Sequence, residues 1–328
     1  MSRPGQLYSR RLGIILLLGV CLLITGVALG NMWRTPWVLL TEEWAAVLEI
    51  RLWRVAVGAL AGASLAISGS ILQAVLRNPL AEPYVLGLSA GAGLGTALAI
   101  IAGGLAVSLL LLPAAGFLGA VLSLAVVYQL ARTARGTTPH TLILAGVVWG
   151  AMTGSLLMFL VSQSSAAGLH ALLWWLLGDL QVFDTRLVIG VAVVNGSAAV
   201  ILFGYSRRLN AMLLGDEGAA HVGVAVERTK VIVLGLATLL AAATVSVCGI
   251  ISFVGLIAPH TARSLVGADH HRLLPASAML GAVFLVWADG IGRMILFPVE
   301  IPVGVFTALV GGPFFLLLLR RHQRGVWT

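Results

Sequence analysis

Apolar residues run in long blocks along this chain and polar ones fall in the short breaks between them. The blocks lie near 12–30, 54–76, 84–103, 105–131, 141–162, 187–204, 229–247, 250–266, 273–296 and 303–320. Each is close to the roughly 20 residues that carry a helix across the hydrocarbon core. The pattern predicts ten spans with both termini on one side. A shorter block at 169–178, LHALLWWLLG, cannot cross and is expected to lie on the membrane surface or dip into it. The first block follows Arg10 and Arg11 and ends in Ala28-x-Gly30, as a signal peptide could, but its apolar stretch is longer than a usual signal core and favours a first span.

Composition agrees. Hydrophobic residues make up 59% of the 328 and charged ones 10%, far from a soluble domain's roughly 25% charged. No polar stretch is long enough for a soluble catalytic domain, so the chain reads as a single membrane domain over 1–328. The net charge of +8 is not gathered into a basic patch with interleaved aromatics, which argues against nucleic acid. The basic residues instead sit between the blocks. With the N-terminus inside, fifteen Lys and Arg fall in cytoplasmic segments and five (Arg34, Arg51, Arg54, Arg186, Arg293) outside, a clear positive-inside split.

Against that background, LNAMLLGDEGAAHVGV at 209–224 is out of character. It reads as two short amphipathic helices on the cytoplasmic side: Gly215 ends one, Asp216 caps the next and Gly223 ends that. Leu209, Met212, Leu213, Ala219, Ala220 and Val222 give each piece an apolar side with no core of its own. Such a pair either docks into a protein partner or lies against the bilayer.

Catalytic and metal signals are weak. GLSAG at 87–91 matches a nucleophile elbow in letters but lacks the strand that must lead into it. The seven histidines and two cysteines offer no ligand set. Within the spans only Asp289 and Arg293 are clearly ionisable, and at i, i+4 they can satisfy each other; an ion-coupled carrier would carry more such groups. Outside, Arg51 and Arg54 share a helix face and Arg293 reaches the same mouth, which points to an acidic partner or to lipid phosphate. Gly58 and Gly62, Gly91 and Gly95, and Gly146, Gly150 and Gly154 sit at the spacing of close helix packing.

Five stretches together closely resemble the FecCD-type permeases of bacterial ATP-binding-cassette (ABC) importers for iron siderophores, haem or cobalamin. They are RLWRVAVGALAGASLAISGSILQAVLRNPLAEPYVLGLSAGAGLG (51–95), LILAGVVWGA (142–151), LLGDEGAAHVGV (213–224), GIISFVGLIAPHTARSLVGADHHRLLPASAMLGAVFLVWAD (249–289) and PVEIPVGVFTALVGGPFFLLLLRR (298–321). The resemblance implies an all-α polytopic fold of about ten spans with short cytoplasmic coupling helices, working as a homodimer in the inner membrane. It implies two ATPase subunits that hold ATP and Mg, no cofactor on this chain, and a periplasmic binding protein. Position by position, it places Gly215, Asp216, Ala219, Ala220 and Gly223 at the ATPase, and Arg51, Arg54 and Arg293 under the binding protein. Asn78, Leu80, Thr138, Pro139 and His140 fall at a cytoplasmic gate, with Gly146 and Gly150 along the path. LLWWLLGDLQVFD (172–184) departs from the glycine-rich form expected of a cobalamin permease and puts iron chelates ahead. An ion-coupled secondary transporter is the alternative from another class.

Overall fold

The structure, a computed structural model, describes residues 4–30, 44–102, 110–133, 136–181 and 184–323. Arg3, Arg34, Arg135 and Arg324 of the topology count lie outside them. Thirteen α-helices follow in order: α1 Pro4–Gly26, α2 Ala45–Val75, α3 Leu88–Ile101, α4 Leu111–Ala131, α5 Pro139–Gln163, α6 Ala166–Leu177, α7 Thr185–Gly204, α8 Ser206–Met212, α9 Asp216–His221, α10 Val226–Cys248, α11 Val254–Val266, α12 His270–Ile295 and α13 Val303–Gln323. Seven of them, α1, α2, α4, α5, α7, α10 and α12, are long and apolar enough to cross a membrane.

Each predicted span coincides with a helix, but two of them open on irregular backbone. The span at 84–103 opens with a 3-10 turn at Pro83–Leu86, and Gly87, at φ 73°, redirects the chain into the 14-residue α3. The span at 250–266 starts without regular structure, and α11 begins only after Phe253, at φ 68°. The short block at 169–178 is α6, 12 residues long, too short to cross as expected. The one departure from an all-helical chain among the described residues is a two-residue antiparallel ladder, β1 Arg132–Thr133 with β2 Gly136–Thr137, leading into α5.

Helices α2, α10 and α12 form the centre, with Leu65, Ile71, Leu72, Leu234, Leu240 and Leu285 essentially inaccessible. Between apolar helices in lipid, close approach and side-chain hydrogen bonds supply the cohesion. Gly62 on α2 lies against the Gly281 carbonyl on α12, and a Cβ on Gly91 of α3 would sit 2.6 Å from the Gly119 carbonyl of α4. The predicted packing role of Gly62, Gly91 and Gly95 therefore holds. Polar links add to it: Asn195 on α7 donates to Ser64 (2.9 Å) and Thr244 (3.1 Å), and Trp149 on α5 donates to Ser123 on α4 (2.9 Å). Replacing Gly62 with Val forces α2 and α12 apart and is expected to cost about 1–3 kcal/mol, read as a drop in the detergent-solubilised unfolding midpoint.

Candidate functional site

The polar segments gather at two ends. At one, residues 77–80, the ladder residues 132–133 and 136–137 with the start of α5, α8, α9 and the α11–α12 turn lie together. At the other, Arg54, Gln181, Arg293 and Glu300 meet, with Arg51 three residues before Arg54 on α2.

The first end is built around α8 and α9. Leu209 and Ala219 are fully buried and Met212 nearly so, and these anchor the pair to the bundle. The α8 seat is polar as well: Asn210 donates to Asp269 (2.7 Å) and accepts from the His270 backbone N–H (2.9 Å). Partial burial works against the Asp269 charge, but hydrogen bonds from Asn210, the His271 N–H and Arg272 hold its carboxyl below the usual carboxylate range. Leu213, Leu214 and Val222 point outward, at 51%, 68% and 62% exposure, with Ala220 and Gly223 exposed beside them. This separates residues that the sequence had placed on one sticky side. Ala219 belongs to the inner face and cannot offer its side chain to a partner, because the same turn that exposes Ala220 turns Ala219 into the core.

Asp216 also differs from expectation. Gly215, at φ 96°, occupies the N-cap of α9 and Asp216 is the first helical residue. Its carboxylate instead takes Arg77 on one oxygen and Lys230 Nζ (2.8 Å) on the other. Gly215 and Gly223 (φ 83°) supply the left-handed backbone their positions require.

The predicted gate residues lie at this same end. Asn78 Oδ1 accepts from the Leu80 N–H at 2.9 Å and closes the turn after α2. Thr138 caps α5 in a reciprocal box with Thr141, Pro139 stands in the first turn, and His140 is exposed. The loop is fastened deeper by Glu82, which accepts from the Phe253 N–H, and by Tyr84, whose hydroxyl donates to the Ile251 carbonyl (3.0 Å). GLSAG follows directly, at the head of α3 behind a 3-10 turn.

Gly146 does not line an open face. A Cβ there would meet the Val85 carbonyl and stand 3.0 Å from Leu86 Cα, and Gly150 faces Gly87 at 3.6 Å. Small residues at helical spacing mark close packing, and here the 83–87 turn fills it. The opposite side of α5, with Leu144, Val147, Val148 and Met152, is the exposed one.

At the other end the three arginines are already engaged. Arg51, 7% exposed, donates to the Val27 and Ala28 carbonyls (3.3 and 3.1 Å), satisfying groups that the end of α1 leaves open. Arg54 forks onto Asp289, with Nη2 to Oδ1 at 2.9 Å, and reaches Glu300 at 3.2 Å; Arg293 Nη2 lies 3.0 Å from Asp289. The expected Asp289–Arg293 pair is present, enlarged by Arg54 and Glu300. These buried guanidiniums cannot be the exposed contact surface that the sequence suggested. A cavity of about 430 Å³ opens beside them, lined by Glu49, Ile50, Trp53, Arg54, Leu180, Gln181 and Thr185.

The profile of the FecCD transport family matches residues 12–321. The chain belongs to the FecCD transport family. Relatives within it carry several cargoes. The cobalamin import system permease BtuC of Halobacterium salinarum is 43% identical over 88% of this chain and 80% of its own length. The hemin transport permease HmuU of Yersinia pestis is 36% identical over 95% and 96%. The Fe(3+) dicitrate permease FecD of Escherichia coli is 37% identical over 94% and 99%. Among solved structures, a chain described as an inward-facing metal-chelate type ABC transporter superposes with a TM-score of 0.85 at 30% identity, over 96% of this chain and 99% of that one. The FecCD fold thus accounts for the whole bundle, and the multi-pass permease reading stands.

Sequence reasoning missed Lys230, Glu227, Asp289's link to Arg54, and Glu300. A buried lysine five residues into an apolar helix was the available signal for the first. The α2–α12 pair, separated by 235 positions, left none.

Proposed function

We propose that this chain is the membrane subunit of an ATP-driven importer for a bulky metal chelate, a ferric siderophore, haem or cobalamin, working as a homodimer with two ATPase subunits and a binding protein. The observation that carries this reading is the α8–α9 knuckle. It is anchored by Leu209, Met212 and Ala219, yet presents Leu213, Leu214 and Val222 to its surroundings, next to the gate segments 77–80 and 137–140. A small apolar surface on a pinned helix pair is what an ATPase needs to grip in order to move a gate.

The positive-inside split supports a cytoplasmic position for that end and both termini in this reading, with the chain in the inner membrane. At the periplasmic end, Arg51, Arg54 and Arg293 act as a rigid cationic layer beneath the docking surface, and the cavity beside Arg54 lies under the binding protein. The path runs between two copies along the exposed face of α5. The relatives' names span iron-citrate, haem and cobalamin, so the reading covers all three.

Mixing the detergent-solubilised chain with the ATPase subunit of the same transport system tests this reading. A stable complex whose ATP hydrolysis rises when the binding protein is added is the expected result. An ATPase that ignores the chain contradicts it.

A further inference from the structure

Lys230 is an unusual residue to bury. It stands in the second turn of α10, 2% exposed, and an ammonium has three hydrogens to place. It has three acceptors: Asp216 Oδ2 on α9 at 2.8 Å, the Thr137 backbone carbonyl at 2.9 Å and Glu227 Oε1 at 3.2 Å. Each acceptor belongs to a different part of the machine. Asp216 opens the second coupling helix. Thr137 ends the hairpin and directly precedes Thr138, the cap of α5. Glu227 braces the same spot, accepting from the Thr137 backbone N–H (3.3 Å) and from Thr137 Oγ1 (3.2 Å). The other Asp216 oxygen holds Arg77, the residue before the Asn78 loop.

One carboxylate on the coupling helix is therefore tied to both gate segments: to 77–80 through Arg77, and to 137–140 through Lys230. We propose that Lys230 is a positioning residue that transmits displacement of α9 to the hairpin and α5, and that Asp216 and Lys230 form one transmission link between ATPase and gate. A link of this kind is held at its buried end, where the Lys230 side chain is 3% exposed, while its carboxylate partners Asp216 and Glu227 are 41% and 46% exposed. Moving α9 away from Thr137 would take from the buried ammonium one of its two carboxylate partners, leaving it Glu227 alone, which is costly. The Tyr128 hydroxyl, 3.4 Å from Glu227 Oε2, brings the end of α4 into the same node.

The inference rests on the importer reading, so the test uses the complete complex in liposomes, with haemin, ferric citrate and cyanocobalamin offered in turn. Lys230→Met, Asp216→Asn and the double variant are compared with the unaltered complex for ATP hydrolysis and for uptake per ATP. A third readout, independent of cargo, is the ATP-dependent change in maleimide reactivity of a cysteine at His140 in a Cys21→Ser background. Lys230→Met is expected to keep hydrolysis within about twofold while uptake per ATP, and the His140 response, fall about tenfold or more; Asp216→Asn should lose uptake per ATP to the same extent, whatever its hydrolysis rate. The double variant should be no worse than either single, because both break the same link. Lys230→Arg, which keeps the charge, should recover part of the coupling.

A merely structural role would lower hydrolysis, uptake and thermal stability together and would make the two losses add; that pattern overturns the proposal. So does normal uptake per ATP in Asp216→Asn, a near-isosteric change at a half-buried side chain that carries the test even where Lys230→Met does not assemble. Failure of the unaltered complex to respond to ATP rejects the importer reading itself, a result distinct from either.

Discussion

Replacing Asp289 with Ala is expected to destabilise the protein by about 3–5 kcal/mol, because removing one partner of a buried ionic group leaves the rest uncompensated. The carboxylate is 6% exposed and holds Arg54 and Arg293, themselves 10% and 8% exposed. Glu300 can take up part of the Arg54 charge, at 3.2 Å, but among the described residues Asp289 is the ion-pair partner within 4 Å of Arg293. Thermal unfolding in detergent checks this, alongside the triple change Arg54→Met, Asp289→Leu, Arg293→Met. The triple variant should recover most of the loss, since apolar residues can take the place of the three buried charges while Glu300, 32% exposed, keeps access to water. It should also separate stability from docking: a well-folded triple variant that no longer binds the binding protein assigns the cationic layer to docking. An Asp289→Ala protein as stable as the parent would mean that the cluster holds nothing together.

The second large effect is expected at α8–α9. Leu214→Asp with Val222→Asp changes two side chains that project outward, so stability should move by less than about 0.5 kcal/mol. Affinity for the ATPase subunit should nevertheless fall on the order of 100-fold, because apolar anchors at the centre of a small interface carry most of its binding energy. Titration of the ATPase against the solubilised chain reads this directly. Equal binding by parent and variant would move the ATPase contact elsewhere. Ala219→Ser serves as the contrast: it places a hydroxyl in a fully buried position and should act on folding before it acts on binding.

Much of this was written in the pattern of apolar blocks. The block lengths located every crossing helix, and the Gly-Asp break located the knuckle, because both are local signals with local physical causes. The block pattern could not show where a block stops being helical. Phe253 and Gly87 take up positive φ inside apolar runs, each at the point where irregular backbone or a 3-10 turn gives way to a helix. The glycines at 146 and 150 were legible as a packing face but not as to what they pack against. The arginines Arg51, Arg54 and Arg293 were legible as a cluster, but their partners come from residues up to 246 positions away. Charge counting along a chain finds an excess; it does not find the carbonyls of Val27 and Ala28 or the carboxylate of Asp289. Lys230 was counted as a topology signal, which its position at a helix start supports, while its burial and three acceptors arise only when α9, the hairpin and α10 come together.

The central claim is that ATP, acting through the knuckle, drives a metal chelate through this chain. The most direct measurement is accumulation of haemin, ferric citrate and cyanocobalamin, each offered with a matching binding protein, in liposomes carrying the chain and its ATPase. Accumulation of one cargo that requires ATP hydrolysis and ignores proton and sodium gradients is the predicted result. Accumulation that follows an ion gradient and is indifferent to ATP would contradict the account and hand the chain to the secondary carriers.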